Sequence, residues 1–296
     1  MPFFSILMPA YQAESFIARA VDSLKGQSFS DWELIIVDDS SRDKTYEIAL
    51  NYAKSDNRIK VYRNDKNLGQ AQNWNVALGY VKGEWLGFLP CDDWFEPQAL
   101  ATIAKNIKET GAEIQIHAHY ALHEKDGQKD LVRPIPNSVS GKLRKLAQIF
   151  YEKGNIFGEV SCYFVKRSLF TDTGIRFGKN CSTLDLEVWM KICLEHSESI
   201  YHYTPVILAT TTIHPAADSS KYNLSGKNWL DFFQFYAKFS HVSWPLRTRL
   251  RQVPRLIYCY LRERKVIPES ERPHAFRWLK HTLLNLILFR NRQLFD

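Results

Sequence analysis

The chain has only five cysteines, Cys91, Cys162, Cys181, Cys193 and Cys259, and no C-x-x-C pair among them. An odd, unpatterned set argues against a disulfide framework or a zinc site and reads as free thiols of a reducing compartment. No apolar run approaches the roughly 20 residues needed to cross a bilayer. Nor does a basic segment with an apolar signal core precede Met1-Pro2-Phe3-Phe4, which leads straight into a strand. The expectation is a soluble or peripheral protein on the cytoplasmic side. Glycine-rich phosphate cradles are missing as well. No G-x-G-x-x-G follows the first strand and no G-x-x-x-x-G-K-S/T occurs, which disfavours dinucleotide-dependent redox chemistry and P-loop NTPase activity. There is no internal repeat and no low-complexity linker.

What is present is enough for one large domain, or one domain with an appendage, in 296 residues. A hydrophobic content of 45%, with 14% aromatic, supports an ordinary globular core. Charge is placed unevenly. Residues 241–296 hold 12 Lys+Arg against 4 Asp+Glu, a net of +8, while residues 1–240 hold 27 against 28, a net of −1. A basic tail on a neutral body invites an anionic partner: a membrane surface, a nucleic acid or an acidic polymer.

Short apolar runs alternate with helical spacing along the first hundred residues. Ser5 to Met8, Leu34 to Val37, Ile59 with Val61, and Trp85 to Leu89 read as buried strands. Between and after them, residues 14–25, a stretch marked by Tyr46, Ala49, Leu50 and Ala53, residues 70–81 and residues 98–109 read as helices. Such alternation predicts an α/β fold with a parallel sheet and right-handed crossovers. The strand from Trp85 stops at Asp92-Asp93, past the carboxyl end where open α/β sheets bind ligands. Two hard oxygen ligands there suit Mg²⁺ or Mn²⁺ carrying a phosphorylated substrate. A structural alternative is an acid capping pair, Asp93 with Glu96, for the following helix.

The stretches Leu7 to Glu14 and Gln27 to Thr45, then Asn67-Leu68-Gly69 with Asn73 and Asn75, then Gly83 to Pro97, resemble family 2 glycosyltransferases in order and spacing. The similarity covers about residues 3–220. It implies a GT-A fold: a mostly parallel, Rossmann-like sheet flanked by helices. Residues 1–110 would form a nucleotide-binding half, 111–225 an acceptor half, and 226–296 a basic helical appendage.

The resemblance also implies roles. It sets Ala10, Tyr11, Glu14, Asp39, Asn67, Gly69 and Cys91 around the nucleotide. Tyr11 would stack on the base, and Asp39 would accept the imide N–H of uracil, which suits an acceptor-only carboxylate. Asp92 matches the metal-binding Asp of the family's D-x-D element, with Asp38 and Asp93 as supports. Pro90 stands where that element has its first Asp, with Cys91 between. Asp185 matches the general base of the second acidic element, where Leu184 replaces the usual first acid; Ser182 with Asp185 also reads as a capping pair. His214 matches a His that some relatives place near metal and diphosphate. Together these imply inverting transfer, assisted by Mn²⁺ or Mg²⁺. A sugar would pass from a nucleotide sugar, UDP-linked for preference, to a saccharide or lipid-linked saccharide hydroxyl in a cell-surface glycan pathway. The rival is a catalytically degenerate nucleotide-sugar-binding or scaffold protein on the same fold.

Other features receive plainer readings. Without a fourth ligand, His117, His119 and His123 at alternate positions read as a half-exposed strand face. Glu187 reads as a solvated helix position, and residues 154–165, with Glu159, as lining for the acceptor. In the tail, Leu246, Leu250, Val253, Ile257 and Leu261 recur at helical spacing among arginines, and Phe276, Leu279, Leu283, Leu286 and Ile287 do so again. With Trp244 and Trp278, such helices suit an anchor on anionic lipid at the inner membrane face. Equally, they suit packing on the body or on a second copy, with the arginines solvated. No nucleic-acid motif accompanies the basic charge.

Overall fold

The computed structural model of the chain describes residues 1–178, 183–215 and 227–288. Four strands, β1 (Phe4–Ala10), β2 (Trp32–Asp38), β3 (Ile59–Arg63) and β4 (Trp85–Phe88), alternate with helices α1 (Ile17–Lys25), α2 (Thr45–Ser55) and α3 (Gln70–Leu78). β1 pairs in parallel with both β2 and β4, and β2 with β3. All seven positions of β2 are buried, as its near-continuous apolar run requires of a strand covered on both faces. The chain winds outward from β1 to β3 and then crosses back to β4. The switch between β1 and β4 opens a crevice at their carboxyl ends.

The second half makes the sheet mixed. After short β5 (Trp94–Phe95) and α4 (Ala99–Thr110) come β6 (Ile114–His123), β7 (Lys129–Val132), β8 (Val139–Lys142) and α5 (Leu143–Lys153). Then follow β9 (Tyr163–Lys166), α6 (Ser168–Thr171), α7 (Leu184–Glu195) and β10 (Ile200–Ile213). β9 runs antiparallel between β4 and β6, and β10 lies parallel to β6. The result is the expected α/β architecture, with a parallel first half and a mixed second half. Among the described residues three helices follow, α8 (Lys227–Phe239), α9 (Leu246–Glu263) and α10 (Arg272–Leu288).

Alternate residues of β1 feed two apolar layers: Ile6 and Met8 meet Ile17, Val21 and Leu24 of α1, while Leu7 faces the opposite layer. That second layer continues through Phe88 and Trp189 to Phe233, Trp244, Leu256 and Leu286, so the C-terminal helices share a core with the sheet.

Several sequence expectations change. The Asp93–Glu96 cap does not form: α4 is preceded by Gln98 without a side-chain cap, and Glu96 Oε1 accepts instead from Thr210 Oγ1 at 2.9 Å. His117 and His119 are buried rather than half-exposed, because β6 lies inside the sheet between β9 and β10; burial holds both imidazoles down at about 4. Only His123 keeps solvent access, bonded to Asp130 Oδ2 at 2.9 Å. Glu187 is buried too, and Lys238 of α8 donates to its Oε2 at 2.5 Å. Trp244 stacks in the core on Tyr151, with centroids 4.5 Å apart, and is not a lipid anchor. Cys91, Cys162, Cys193 and Cys259 are free thiols; Cys181 and the capping Ser182 lie outside the described residues.

Candidate active site

The crevice has two sides, and the first is built from the loops after β1 and β2. Gln12 and Ser40 adopt left-handed backbone with φ of 49° and 61°, a cost that non-glycine residues bear only when surroundings fix them. Here the fixing is a lace of bonds between the two loops. Gln12 N donates to Ser41 Oγ at 2.9 Å, Ala13 N to Thr45 Oγ1 at 2.7 Å, and Glu14 N to Asp43 Oδ2 at 3.1 Å. In return, Lys44 N donates to Glu14 Oε2 at 3.0 Å, and Asp39 N to the Ala10 carbonyl at 2.8 Å. Burial pushes the Asp43 carboxyl up, but hydrogen bonds from Thr45 and Glu14 outweigh it and its pKa ends lowered.

Asp39 is buried beneath this lace. Its Oδ1 accepts from Asn64 Nδ2 at 2.7 Å and Leu68 N at 2.9 Å, and its Oδ2 from Gly69 N at 2.9 Å. Gly69, at φ 82°, turns the chain so that its N–H reaches both Asp39 and Asn67 Oδ1, the latter at 3.1 Å. Asp38 accepts from Ser41 N at 3.1 Å and pairs with Arg63 Nε at 3.2 Å. Tyr11 stands exposed at the rim. Cys91 Sγ reaches back to the Pro9 carbonyl at 3.3 Å, tying the end of β4 to the end of β1. The structure thus brings Ala10, Tyr11, Glu14, Asp39, Asn67, Gly69 and Cys91 to one crevice.

The other side gathers carboxylates. The Asp92 carbonyl accepts from Arg19 Nη2 at 2.8 Å and Thr212 Oγ1 at 2.6 Å, which fixes its backbone. Its carboxylate turns to His214, Oδ2 lying 3.1 Å from Nε2, and the imidazole packs on the Phe16 ring at 4.8 Å. Asp93 is buried, with Thr212 N donating to Oδ1 at 3.0 Å and Ser161 Oγ to Oδ2 at 2.9 Å. Burial, then the charge of Asp92, holds its carboxyl well above the usual range. It acts as a strut between the turn before β9, β10 and the turn after β4.

Asp185 occupies the first turn of α7, and Asn155 Nδ2 donates to its Oδ2 at 3.2 Å. Asn155 is itself held by Tyr163 Oη, which donates to its Oδ1 at 3.0 Å, and by its own bond to the Gly158 carbonyl. Gly158 has φ 98°, and a β-carbon there would stand 2.1 Å from His119 Cε1, so only glycine lets this loop close on the strand. Burial pushes Asp185 up to about 6. Neighbouring Glu159 reaches the open cleft but is ringed by protein; burial, then the charges of Asp185 and Asp92, push it up to about 7. Three carboxylates that feel one another share one cleft.

Among the described residues no group of three or more His, Cys, Asp and Glu side chains forms a ready metal cage. The donor chemistry fits a cation nonetheless. Asp92 offers a hard carboxylate with 28% of its side chain exposed, and His214 Nε2 stands beside it. Mg²⁺-type sites commonly use one or two protein ligands and leave the rest to substrate phosphates and water.

Asn155, Ser161, Thr212 and Arg19 escape sequence reasoning, because each acts through a partner 30 to 193 residues away. A glycine-flanked segment near Asn155 was the sole local signal.

The chain's residues 5–174 match the model of glycosyl transferase family 2. Over 206 residues it is 29% identical to the GalNAc(5)-diNAcBac-PP-undecaprenol beta-1,3-glucosyltransferase of Campylobacter jejuni, covering 68% of this chain and 63% of that protein. Its fold is similar to Staphylococcus aureus TarS 1-349 in complex with UDP-GlcNAc, with a TM-score of 0.67 at 18% identity over 96% of this chain and 90% of that one. A further likeness is to the mannosyltransferase PcManGT of Pyrobaculum calidifontis in complex with GDP-Man and Mn²⁺, with a TM-score of 0.57 at 13% identity over 98% and 87%. The chain spans about half or less of the first curated relatives it matches, at 18%, 51% and 41% of their lengths. With more than half its length matching the family model, and the strand-end carboxylates in one crevice, the chain belongs to glycosyl transferase family 2.

Proposed function

We propose that the chain transfers a sugar, with inversion, from a UDP-linked donor to a hydroxyl of a saccharide or lipid-linked saccharide, in building a cell-surface glycan. One observation carries the reading: Asp185, a carboxyl poised at about 6, shares a cleft with the Asp92–His214 pair at the mouth of the nucleotide crevice. In this reading residues 1–110 hold the nucleotide, 111–225 the acceptor, and 226–296 form the appendage.

Tyr11 offers its ring face to the base. Asp39 Oδ2, which holds one backbone donor, keeps a lone pair for the imide N–H of uracil. Asp92, with His214 beside it, would hold Mn²⁺ or Mg²⁺, whose charge favours departure of the diphosphate. Asp185 takes the proton of the acceptor hydroxyl as its oxygen attacks the anomeric carbon from the face opposite the leaving group. The bond to the diphosphate breaks, its electron pair leaves with UDP, and the configuration inverts. Asn155 and Tyr163 keep the Asp185 carboxylate aimed. The alternative, a non-catalytic nucleotide-sugar-binding scaffold, rests on Pro90 in place of the first acid of D-x-D.

The test is release of UDP from a set of UDP-sugars, with and without a lipid-linked saccharide, in Mn²⁺. Acceptor-dependent release that disappears in Asp185→Asn supports the transferase. A folded protein that turns over no nucleotide sugar leaves the scaffold.

A further inference from the structure

The C-terminal helix α9 buries polar residues beside Leu256 and leaves other leucines outside. It buries Thr248, Arg249 and Gln252, at 0%, 6% and 1% exposure, and turns Leu246, Leu250 and Leu261 outward at 60%, 63% and 56%. The inward polar face is occupied by hydrogen bonds. Thr248 Oγ1 donates to Glu152 Oε1 at 2.6 Å, and Gln252 Nε2 donates to the Glu152 carbonyl at 2.9 Å, at the end of α5. Arg255 joins them on that carbonyl and reaches Tyr236 Oη at 2.9 Å. So the helix is anchored by these polar groups together with Leu256, which leaves Leu246, Leu250 and Leu261 outermost with no described residue over them.

α10 extends the same surface. It lies antiparallel beside α9: Arg249 Nη1 donates to the Leu286 carbonyl at 3.4 Å at one end, and Tyr260 meets Phe276 at 5.8 Å between centroids at the other. Its outer side carries a shallow apolar groove lined by Phe276, Leu279, Leu283, Leu284 and Ile287. Each of these two adjacent helices thus turns an apolar stripe outward, and the two stripes are the candidate platform. Exposed apolar patches of this kind mark interaction sites in a soluble protein.

Charge identifies the occupant. α9 and α10 together carry eight Arg and Lys and a single acid, Glu263, already paired with Arg262. Arg247, Arg251, Arg264, Arg277 and Lys280 are exposed around the leucines. A second copy docked by a two-fold axis would set these basic helices against each other, with Glu269 and Glu271 of the connecting turn too few to answer eight cations. An anionic lipid surface answers both features, taking leucines into the acyl boundary and arginines to its phosphates. We infer that the outer faces of α9 and α10 seat the protein on an anionic bilayer. The sequence leaves open whether these helices pack or bind lipid; with Leu256, Leu279 and Leu286 buried and Leu250, Leu261 and Ile287 exposed, they can do both. This surface stands apart from the transfer site and does not depend on the donor.

The full chain is sedimented with vesicles of phosphatidylcholine containing about 30% phosphatidylglycerol, and with phosphatidylcholine alone. Expected are binding to the anionic vesicles that weakens at high salt, and a loss of about tenfold or more in Leu250→Glu with Leu261→Glu, and in Arg247→Glu with Arg277→Glu. The melting temperature and nucleotide binding of these variants stay as in the parent. Leu250→Ser with Leu261→Ser serves as a milder second pair. Failure to bind anionic vesicles overturns the inference, as does binding that both leucine pairs leave unchanged. So does a dimer in sedimentation velocity that the leucine pairs dissolve, since the platform would then be an interface between copies. Vesicle binding can fail while nucleotide binding persists, so the two proposals fall separately.

Discussion

The two sides of the crevice are made of the same residue type under opposite conditions. On the side of β1 and β2, Asp39 takes three donors, and Asp43 takes enough for its pKa to end below the usual value despite burial. On the side of Asp92, Asp93 and Asp185 accept hydrogen bonds too, but burial outweighs them, and Asp93, Glu159 and Asp185 are all driven upward. A carboxylate whose donors win is fixed, and here it sets the shape of two strained loops. One whose burial wins keeps its proton toward the neutral range, which a base needs if it is to take one up and give it back near pH 7.

Substitutions separate the sides. Asp185→Asn should lower the transfer rate by about 10²–10⁴-fold, the usual worth of a general base, with UDP affinity unchanged. Loss of affinity in step with rate would make Asp185 a binding residue and erase the contrast. Asp92→Ala should cost about 10²–10³-fold in turnover and remove the response to added metal. Asp39→Asn acts on the side of β1 and β2. It strands buried N–H donors, so a loss of about 1–3 kcal/mol in unfolding free energy should accompany weaker UDP binding, measured by urea titration and calorimetry.

The smallest effect is on pH. Because the folded pKa of Glu159 lies at about 7 against an ordinary 4.5, and that of Asp185 at about 6 against 3.8, the folded protein holds protons that the unfolded chain releases. Their contribution to stability is therefore best below about pH 4 and declines as pH rises to about 7. Activity runs the other way, rising through about pH 6 as Asp185 ionises. Glu159→Gln should flatten the stability decline by about 2–4 °C in melting temperature at pH 8. An unchanged profile would mean that Glu159 is solvated in its cleft.

How much was legible follows from range. The four parallel strands and their helices were readable because period and burial are local: Leu34 to Val37 is apolar whatever it packs against. Asp39, Asp92, Asp185 and His214 were marked by resemblance, and the fold brings them to one crevice. For Asp93 the sequence offers a helix cap beside a role in supporting Asp92, because it shows Glu96 three positions on but not Ser161 or Thr212, which arrive from the turn before β9 and from β10. Burial of His117 and His119 depended on strand order, with β6 enclosed between β9 and β10, and no window of sequence carries strand order. The tail shows the same limit. Its amphipathic stripe was evident, yet which face would be buried was decided by Glu152 at the end of a helix about a hundred residues earlier.

Calorimetric titration of UDP into the parent and into Asp92→Ala, each with and without Mn²⁺, bears most directly on the crevice as a site for nucleotide and metal together. The expected result is UDP binding that Mn²⁺ strengthens in the parent and leaves unchanged in Asp92→Ala, with TDP and GDP weaker. No nucleotide binding in the presence of Mn²⁺, or a metal response that survives in Asp92→Ala, would contradict it.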